Sequence, residues 1–203
     1  MTEELPGAIS KRVARGRATR EQLIDVATRL FAADGYEDTS IEDVLAAAGV
    51  SRGALYHHFA GKDALFRAVV ESVENRVMTD LAAVAGEVPD PVDRIRVMAL
   101  AWIGMAVDPV IQRITLLDAP SVLGMEYWRD PGQQQAVTAM KALLQEVSAG
   151  GRLPQDLVAP FASMILGALD EMALVVARAA DPDAALPGAR AAVEELLRRV
   201  LTP

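Results

Sequence analysis

The chain has 203 residues, of which 52% are hydrophobic and only 4% aromatic, and it carries a net charge of −8. A core of Ala, Leu, Val and Met favours helices, and no segment has a convincing strand pattern, so we expect an all-α fold. The sequence has no cysteine, which excludes disulfides, thiolate metal sites and a cysteine nucleophile. We expect a cytoplasmic protein without a signal peptide or membrane span, because no apolar run approaches about 20 residues.

The N-terminal 18 residues include a strongly basic stretch. Five Lys and Arg residues and no acid lie between residues 11 and 20, so the rest of the chain carries −13. DNA affinity depends on local neutralisation of phosphates rather than on whole-chain charge. We therefore predict that residues 1–18 form a flexible basic arm whose Arg15 or Arg17 enters a minor groove. The alternative is a solvated disordered tail.

Helix 1 is predicted to begin at Thr19, which can form a capping box with Gln22. Five apolar residues then follow at helical spacing and end before Gly35: Leu23, Ile24, Ala27, Leu30 and Phe31.

Residues 39–63 have the pattern of two short helices joined by a glycine turn. Thr39 or Ser40 can cap helix 2, with an acidic residue three positions further on to complete a capping box. Gly49 can adopt the positive φ that ends this helix. Ser51 can then cap helix 3. Such a helix-turn-helix lays its second helix in the major groove of DNA, whereas the alternative is an ordinary helical hairpin with solvated polar faces.

Helix 3 has an apolar side and a polar side. Leu55 and Phe59 lie four residues apart and are predicted to pack inward. On the other side, Arg52 can donate to two guanine acceptors, and the start of helix 4 at Lys62 favours an anion. The residues predicted to contact DNA are Arg17, Thr39, Ser40, Ser51, Arg52, Gly53, Tyr56, His57 and Lys62.

Residues 19–66 resemble the DNA-binding domain of the tetracycline-repressor (TetR) family of bacterial transcription regulators. The resemblance rests on Leu30-Phe31-Ala32, Gly35-Tyr36, Thr39-Ser40-Ile41, Ala48-Gly49-Val50-Ser51, Leu55-Tyr56-His57-His58-Phe59 and Lys62. Leu45 departs from the family, which more often has Ala at this position. The resemblance implies a transcription regulator, and many relatives use a basic N-terminal arm on DNA.

The remaining residues, 67–203, are predicted to form a helical ligand-binding and dimerisation domain. Helix 4 joins it to the N-terminal helices without a linker. Glycine and proline place the predicted helices at 62–85, 92–107, 108–117, 133–149, 155–180 and 188–201.

The last two helices are expected to form a homodimer interface. The segment 155–180 is apolar nearly all round, and 188–201 carries an apolar stripe, so two helices from each chain can form a four-helix interface. The family resemblance implies the same arrangement, and the alternative is packing within one chain. The predicted interface residues are Phe161, Ile165, Leu169, Val193, Leu196, Leu197 and Val200.

A ligand cavity among the middle helices is implied mostly by the resemblance, because Met and Trp at helical spacing are often simply core. The predicted lining residues are Met98, Trp102, Met105, Met125, Trp128, Met140 and Met164. Arg113, Asp118, Glu126 and Asp170 are candidate polar anchors. A small-molecule inducer follows from this interpretation.

Catalysis has little support in the sequence. The two histidines, His57 and His58, are adjacent within the predicted DNA-facing helix, and adjacent residues cannot both face one metal. We therefore expect no catalytic residues, no metal and no cofactor. The chain is predicted to be a repressor that a small, largely apolar ligand releases from a near-palindromic operator. The alternatives are a ligand-independent regulator, an activator, or an enzyme built on a helical bundle.

Overall fold

A computed structural model describes residues 6–124 and 131–201, with side chains described for 14–124 and 134–201. Within these residues the chain is helical and contains no strand. The first three helices are α1 (Pro6–Asp38), α2 (Ile41–Ala48) and α3 (Arg52–His58). Helix α1 is broken at Gly35, where φ is 83° and ψ is 172°, so the predicted end before Gly35 is confirmed.

The N-terminal segment differs from the predicted flexible arm, because residues 6–18 continue α1 as helix. Thr19 therefore lies inside the helix, and its hydroxyl donates to the Arg15 carbonyl at 3.0 Å instead of capping a helix start. The side chain of Gln22 donates to the carbonyl of Ala48 at the end of α2. The predicted capping box at Thr19 was wrong, since no turn precedes this residue.

Three aromatic rings hold the N-terminal helices on the next helix, α4 (Lys62–Ala85). The Phe31 and Phe66 rings meet edge to face with centroids 5.1 Å apart, and the Tyr36 ring lies 4.9 Å from Phe66 and 5.9 Å from Phe31. Phe31 and Phe66 are fully buried. The uninterrupted α4 then leads from this aromatic cluster into the C-terminal helices, as predicted.

Asp90 caps helix α5 (Pro91–Met105), and its carboxylate accepts the Arg152 guanidinium and two backbone N–H groups. These interactions hold the pKa of Asp90 below its ordinary value. A π-helical segment, Ile111–Asp118, follows and continues directly into the short α6 (Ala119–Leu123). The predicted short helix at 108–117 therefore exists, but it has π-type hydrogen bonding.

The last three helices are α7 (Pro131–Ala149), α8 (Val158–Ala177) and α9 (Pro182–Leu201). A short 3-10 turn, Gln155–Leu157, precedes α8. Helix α9 begins six residues before the predicted start at Gly188 and contains Pro187. Asp181 caps its first turn by accepting the Ala184 N–H at 3.0 Å, which stabilises the helix start ahead of the proline.

The C-terminal core forms where α5 and α8 pack against α7 and α9. Its fully buried residues include Ile95, Ile103, Leu144 and Leu197, and none of them is aromatic. Burial of such aliphatic side chains contributes about 1.5–3 kcal/mol each, which explains how a chain so poor in aromatic residues holds this layer together.

Replacing Gly35 by Ala is expected to lower the free energy of unfolding by at least about 1–3 kcal/mol, because this φ and ψ combination is adopted almost only by glycine. A Cβ there would also overlap the Arg113 guanidinium. Chemical denaturation measures the effect. Gly188→Ala is the control, since Gly188 is helical, exposed and has open space, so it should be neutral or stabilising. Equal stability of Gly35→Ala and wild type would contradict the strain argument.

Candidate DNA-binding surface and ligand cavity

The helix-turn-helix is built by local hydrogen bonds. The Ser40 hydroxyl accepts the Asp43 N–H at 3.1 Å, and the Asp43 carboxylate accepts the Ser40 N–H at 2.9 Å, completing a capping box. Hydrogen bonds to the Asp43 carboxylate from the Ser40 hydroxyl and from the Ser40 backbone N–H hold the pKa of Asp43 below its ordinary value. Gly49 has φ 64° and donates its N–H to Leu45, and Ser51 then caps α3. The predicted turn and caps are confirmed, with Ser40 rather than Thr39 at the cap.

The packed and exposed sides of α3 are as predicted. Leu55 is fully buried and Phe59 is 4% exposed, whereas Tyr56 is 48% exposed. The other exposed residues on this side are Ser51, Arg52, Gly53 and His57. The exposed side therefore brings together a guanidinium, a hydroxyl, a phenol and an imidazole along one short helix.

Arg52 is not free on this surface, because its guanidinium pairs with the carboxylate of Glu42 on α2. Both side chains remain about 60% exposed, so the pair is solvent-screened and contributes little stability. A guanine or a phosphate can therefore compete with Glu42 for the guanidinium.

Lys62 is held at the corner between α1 and α4. Its ammonium lies 4.1 Å from the centroid of the Tyr36 ring and donates to the Glu37 carbonyl at 3.3 Å. The Tyr36 hydroxyl donates to the Asp63 carboxylate. Burial and this neighbouring carboxylate raise the pKa of Tyr36 well above its usual range, so the phenol stays protonated. The ammonium is thus positioned by an aromatic face.

The N-terminal part of α1 runs beside the end of α3. A Cβ built on Gly16 would lie 3.8 Å from the His58 ring, and the Arg20 guanidinium lies 5.3 Å from the Phe59 ring centroid. Partial burial, His57 and Arg20 lower the pKa of His58. Arg17 is exposed and pairs only loosely with Glu21, at 3.7 Å. The helical basic segment of α1 therefore lies beside the end of α3.

One predicted DNA contact was wrong. Thr39 is 2% exposed, and its hydroxyl donates to the Gly35 carbonyl at 2.8 Å, which stabilises the break in α1. The side chain is thus committed to a backbone carbonyl inside the protein. Sequence spacing alone could not separate Thr39 from Ser40, because either hydroxyl can cap a helix.

A cavity of about 760 Å³ lies between α4, α5, α7, α8 and the π-helical segment. Apolar side chains form most of its wall, among them Val77, Leu81, Leu143, Leu166 and Leu174. Its size is in the range of small-molecule sites in proteins.

The predicted cavity residues have mixed outcomes. Met98, Trp102 and Met140 line the cavity. Met105 packs half-buried against the core and is not among the lining residues. Met164 was wrong, because it is 68% exposed on the outer side of α8. Met125, Trp128 and the candidate anchor Glu126 lie outside the described residues.

Polar groups reach into the cavity from several helices. Glu74 from α4 is 8% exposed and Thr115 from the π-helical segment is 4% exposed. Within the described residues, neither the Thr115 hydroxyl nor the Trp102 indole N–H makes a hydrogen bond of good geometry. Burial raises the pKa of Asp170 from its ordinary 3.8 to about 6, and the Trp102 indole opposes this rise.

Sequence reasoning missed Glu74 and Thr115 as cavity residues. Glu74 lies at helical spacing from the buried Val70, Val77 and Leu81, and an acid on this apolar face of α4 was the available signal. Thr115 gave no comparable signal, because its burial depends on contacts with distant helices.

The π-helical segment also contacts the N-terminal helices. The Asp118 carboxylate accepts the backbone N–H of Tyr36 at 2.8 Å and the Arg113 guanidinium at 3.1 Å. At the other side, the Gln112 amide donates to the Ala177 carbonyl of α8 at 2.7 Å. One segment therefore touches the cavity, α8 and the break in α1. Arg113 and Asp118, named as possible cavity anchors, serve this contact instead.

The outer face of α8 and α9 is apolar and uncovered. Met164, Val175 and Leu196 are 68%, 51% and 38% exposed, and Ala168 lies one helical turn after Met164 on the same face of α8. Residues Gln155–Ala177 form one helical stretch apolar and long enough to cross a membrane, with only 28% of its apolar window buried. Our expectation of no such run was therefore wrong.

Four of the predicted interface residues are already buried within the chain. Ile165, Leu169, Val193 and Leu197 are at most 4% exposed, so they belong to the core and cannot meet a partner. Phe161 and Val200 are half-buried and Leu196 is exposed, so these three remain available. The apolar residues of α9 were predicted correctly, but their helical spacing does not show which of them pack inside the chain and which remain exposed.

The described residues contain no group of three or more His, Asp or Glu side chains that could hold a metal ion.

A helix-turn-helix carried on a helical body with an internal cavity is the architecture of DNA-binding transcriptional regulators. Residues 23–69 match the family model of bacterial regulatory proteins of the tetR family, and residues 92–200 match that of the tetracyclin repressor-like C-terminal domain. The chain belongs to the TetR family of transcriptional regulators.

Two curated regulators each resemble part of the chain. The HTH-type regulator AcrR of Shigella flexneri is 44% identical over 59 residues, which is 29% of this chain and 27% of AcrR. The HTH-type regulator TtgW of Pseudomonas putida is 37% identical over 70 residues, 34% of this chain and 52% of TtgW. These matches thus span between about a quarter and a half of the curated relatives.

Solved structures resemble nearly the whole chain. A TetR-family regulator from Pectobacterium atrosepticum is 37% identical with a TM-score of 0.82, covering 94% of this chain and 97% of that one. The fatty acid degradation regulator FadR of Bacillus halodurans is 20% identical with a TM-score of 0.71, covering 97% and 96%. The second likeness shows the fold alone.

Asp170→Asn is expected to stabilise the protein at neutral pH. Because the folded-state pKa lies above the ordinary one, the folded protein binds the proton more tightly, and this acid costs stability as the pH rises from about 4 to 6. The substitution should raise the free energy of unfolding by up to about 3 kcal/mol at pH 7.5 and by little at pH 4. Urea unfolding across this range measures it.

The control is Asp80→Asn, which removes an exposed carboxylate from α4. It should change the free energy of unfolding by less than about 0.5 kcal/mol at any pH in the range. A difference between Asp170→Asn and wild type that stays constant from pH 4 to 7.5 would contradict the burial argument.

Proposed function

We propose that the chain is a cytoplasmic, homodimeric repressor that binds a near-palindromic operator and is released by a small, largely apolar ligand. Residues 19–66, with the basic segment before them, bind DNA, and residues 67–203 bind the ligand and form the dimer. The observation that carries this proposal is the π-helical segment, which lines the cavity through Thr115 and contacts the DNA-binding helices through Asp118.

Helix α3, the proposed recognition helix, supports the DNA-binding part of the proposal. Ser51 and Arg52 lie at its N-terminus, which is the end that contacts base edges in helix-turn-helix proteins. Gly53 has no side chain and open space around it, so the helix can approach the groove closely. Tyr56, His57 and Lys62 lie nearby for phosphate contacts. Ser40 lies at the start of α2, and Arg17 is carried by the helical basic segment.

The uncovered apolar face of α8 and α9 supports the dimer. Three of the five large hydrophobic side chains most exposed among the described residues lie on it: Met164, Val175 and Leu196. A second copy of the same face would bury them in a four-helix interface. Two-fold symmetry would then place two recognition helices one DNA turn or a multiple apart, about 34–36 Å or more, which requires a near-palindromic operator.

Two connections from the cavity support ligand control. Helix α4 presents Glu74, Val77 and Leu81 to the cavity and Leu65 and Phe66 to the N-terminal core. The π-helical segment makes the second connection through Asp118. A ligand that favours one position of these elements shifts the operator-binding equilibrium only as far as its affinity differs between the two states.

Operator release can be tested with a neutral, largely apolar probe, 4-phenyl-1-butanol, at a concentration that calorimetry shows to saturate the free protein. An operator is first selected from a random DNA library. The probe should weaken operator binding by about 5–150-fold in wild type. Asp118→Ala should reduce this response, because it removes the acceptor of the Tyr36 N–H. Asp156→Ala, an exposed carboxylate, is the control and should respond as wild type does.

If operator affinity is the same with and without saturating probe, release by such compounds is contradicted. A ligand-independent regulator would then be the remaining interpretation. Selection of a single, unrepeated half-site would contradict the palindromic operator.

Arg52 and Lys62 are expected to contribute differently to DNA binding. Arg52→Ala should relax base preference at one position per half-site and cost roughly 1–3 kcal/mol if Arg52 reads a guanine. Lys62→Ala should weaken binding to all sequences alike and reduce the salt slope by about one. Titrations of matched operator variants at several salt concentrations measure both effects. An equal loss of affinity for all operator variants in Arg52→Ala would show that Arg52 contacts the DNA backbone rather than a base.

Met164→Lys is expected to weaken the dimer at least about 10-fold, because a charge would replace the most exposed apolar side chain of the proposed interface. Sedimentation analysis at several concentrations measures the effect. Val84→Lys is the control, since Val84 is 47% exposed on α4 and lies outside this face. Equal dissociation constants for the two variants would contradict the proposed interface.

A further inference from the structure

We infer that the cavity selects ligands with an apolar body and a positively charged amine, which the carboxylates of Glu74 and Asp170 bind. This inference rests on the proposed function, since it names the chemical class of ligand for the same cavity. It follows from the kinds of polar group that the cavity presents, from their burial, and from the distribution of charge around its wall.

The buried polar groups of the cavity are mainly hydrogen-bond acceptors. Glu74 enters from α4 and Asp170 from α8, so the two carboxylates come from different helices. The Thr115 hydroxyl is 4% exposed, lines the same space and makes no hydrogen bond within the described residues. A buried hydroxyl without a partner is costly, so a ligand that supplies a donor to Thr115 gains affinity.

The charge of the described part of the wall disfavours an anionic head group. Among the described lining residues the titratable groups are Glu74 from α4, Asp170 and Glu171 from α8, and Arg178 just after the end of α8. The described lining residues of α5, α7 and the π-helical segment are uncharged. Arg178 is the one cation in this set, and its side chain is exposed. The buried Glu74, the half-buried Asp170 and the exposed Glu171 give this set three carboxylates against one guanidinium, so it repels an acid and attracts a protonated amine.

The apolar wall defines the rest of the ligand. Met98, Leu143 and Leu166 provide flexible or branched aliphatic surface, and the half-buried Trp102 adds an aromatic ring whose indole N–H is near Asp170. An aromatic ring attracts a cation as well as apolar groups. A ligand with an aromatic or alkyl body and a terminal ammonium thus matches both parts of the cavity.

Three probes of nearly equal shape test this inference: 4-phenylbutylamine, 4-phenyl-1-butanol and 4-phenylbutyrate. Calorimetric titration of the DNA-free, full-length protein at pH 7.5 measures their dissociation constants. We expect the ammonium to bind about 10-fold more tightly than the alcohol, since a hydrogen bond to a charged group is worth about that factor. The carboxylate should bind most weakly.

The carboxylates are tested by Asp170→Asn and Glu74→Gln. Each should weaken amine binding about 10-fold, leave alcohol binding within about 2-fold, and thereby remove most of the preference. Asp80→Asn is the matched control, because it removes an exposed carboxylate from the same helix as Glu74 and should leave all three affinities unchanged. Circular dichroism shows whether each variant folds. If Glu74→Gln does not fold, Thr115→Val, which removes the other buried acceptor without changing the charge, takes its place in the amine titration.

A pH series separates charge selection from shape. Lowering the pH from 7.5 to 5.5 protonates part of Asp170, whose pKa is about 6, while the amine stays charged. Amine affinity should therefore fall in wild type and fall less in Asp170→Asn, whereas alcohol affinity should stay level in both.

Equal binding of the three probes, tighter binding of 4-phenylbutyrate, or no binding of any probe at millimolar concentration would overturn the inference. These measurements need no operator, so they are independent of the DNA-release test. Amine-selective binding without any effect on operator affinity would support the inference while contradicting ligand release.

Discussion

The corner at Gly35 and Tyr36 is the contact on which both halves of the molecule depend. Because Gly35 leaves helical geometry, the Tyr36 N–H is freed from α1 and donates to Asp118 of the π-helical segment. The Tyr36 ring packs on Phe66 and lies under the Lys62 ammonium. One residue therefore joins the core of the DNA-binding helices, the beginning of α4 and the wall of the cavity. A residue with a Cβ at position 35 would strain all three contacts together.

Two basic side chains of the proposed DNA-binding surface, Arg52 and Lys62, already have partners within the protein, and DNA would compete with these partners. Arg52 already has a carboxylate partner in Glu42, and Lys62 already has an aromatic ring and a carbonyl. Exposed interactions of this kind are weak, so they hold the side chains near useful positions without preventing exchange for phosphate or guanine. The acidic remainder of the chain disfavours DNA elsewhere, so the proposed binding is confined to α3 and the basic segment of α1.

The sequence predicted the parts of the structure that local chemistry determines. The cap at Ser51, the turn at Gly49 and the buried pair Leu55 and Phe59 depend on neighbours within a few residues, so their pattern was sufficient. Long-range contacts were not accessible in this way. Asp118 meets Tyr36 across 82 positions, and Ile165 and Leu197 were assigned to an interface because periodicity identifies an apolar stripe but not what covers it. Residues 1–18 were predicted to form an arm because the first helix was expected to begin at Thr19, yet the helix already includes residues 6–18.

The π-helical hydrogen bonding of Ile111–Asp118 has a mechanical consequence. A π-helix differs from an α-helix by one residue in the span of each bond, so the segment cannot pass from one to the other by a small continuous deformation. A change to α-type bonding would rotate Thr115 and Asp118 by different amounts about the helix axis. The cavity wall and the Tyr36 acceptor could not then both keep their present positions. Occupation of the cavity would therefore reach the DNA-binding helices as a discrete step, in which the bond to Tyr36 is either made or broken, rather than as a graded strain.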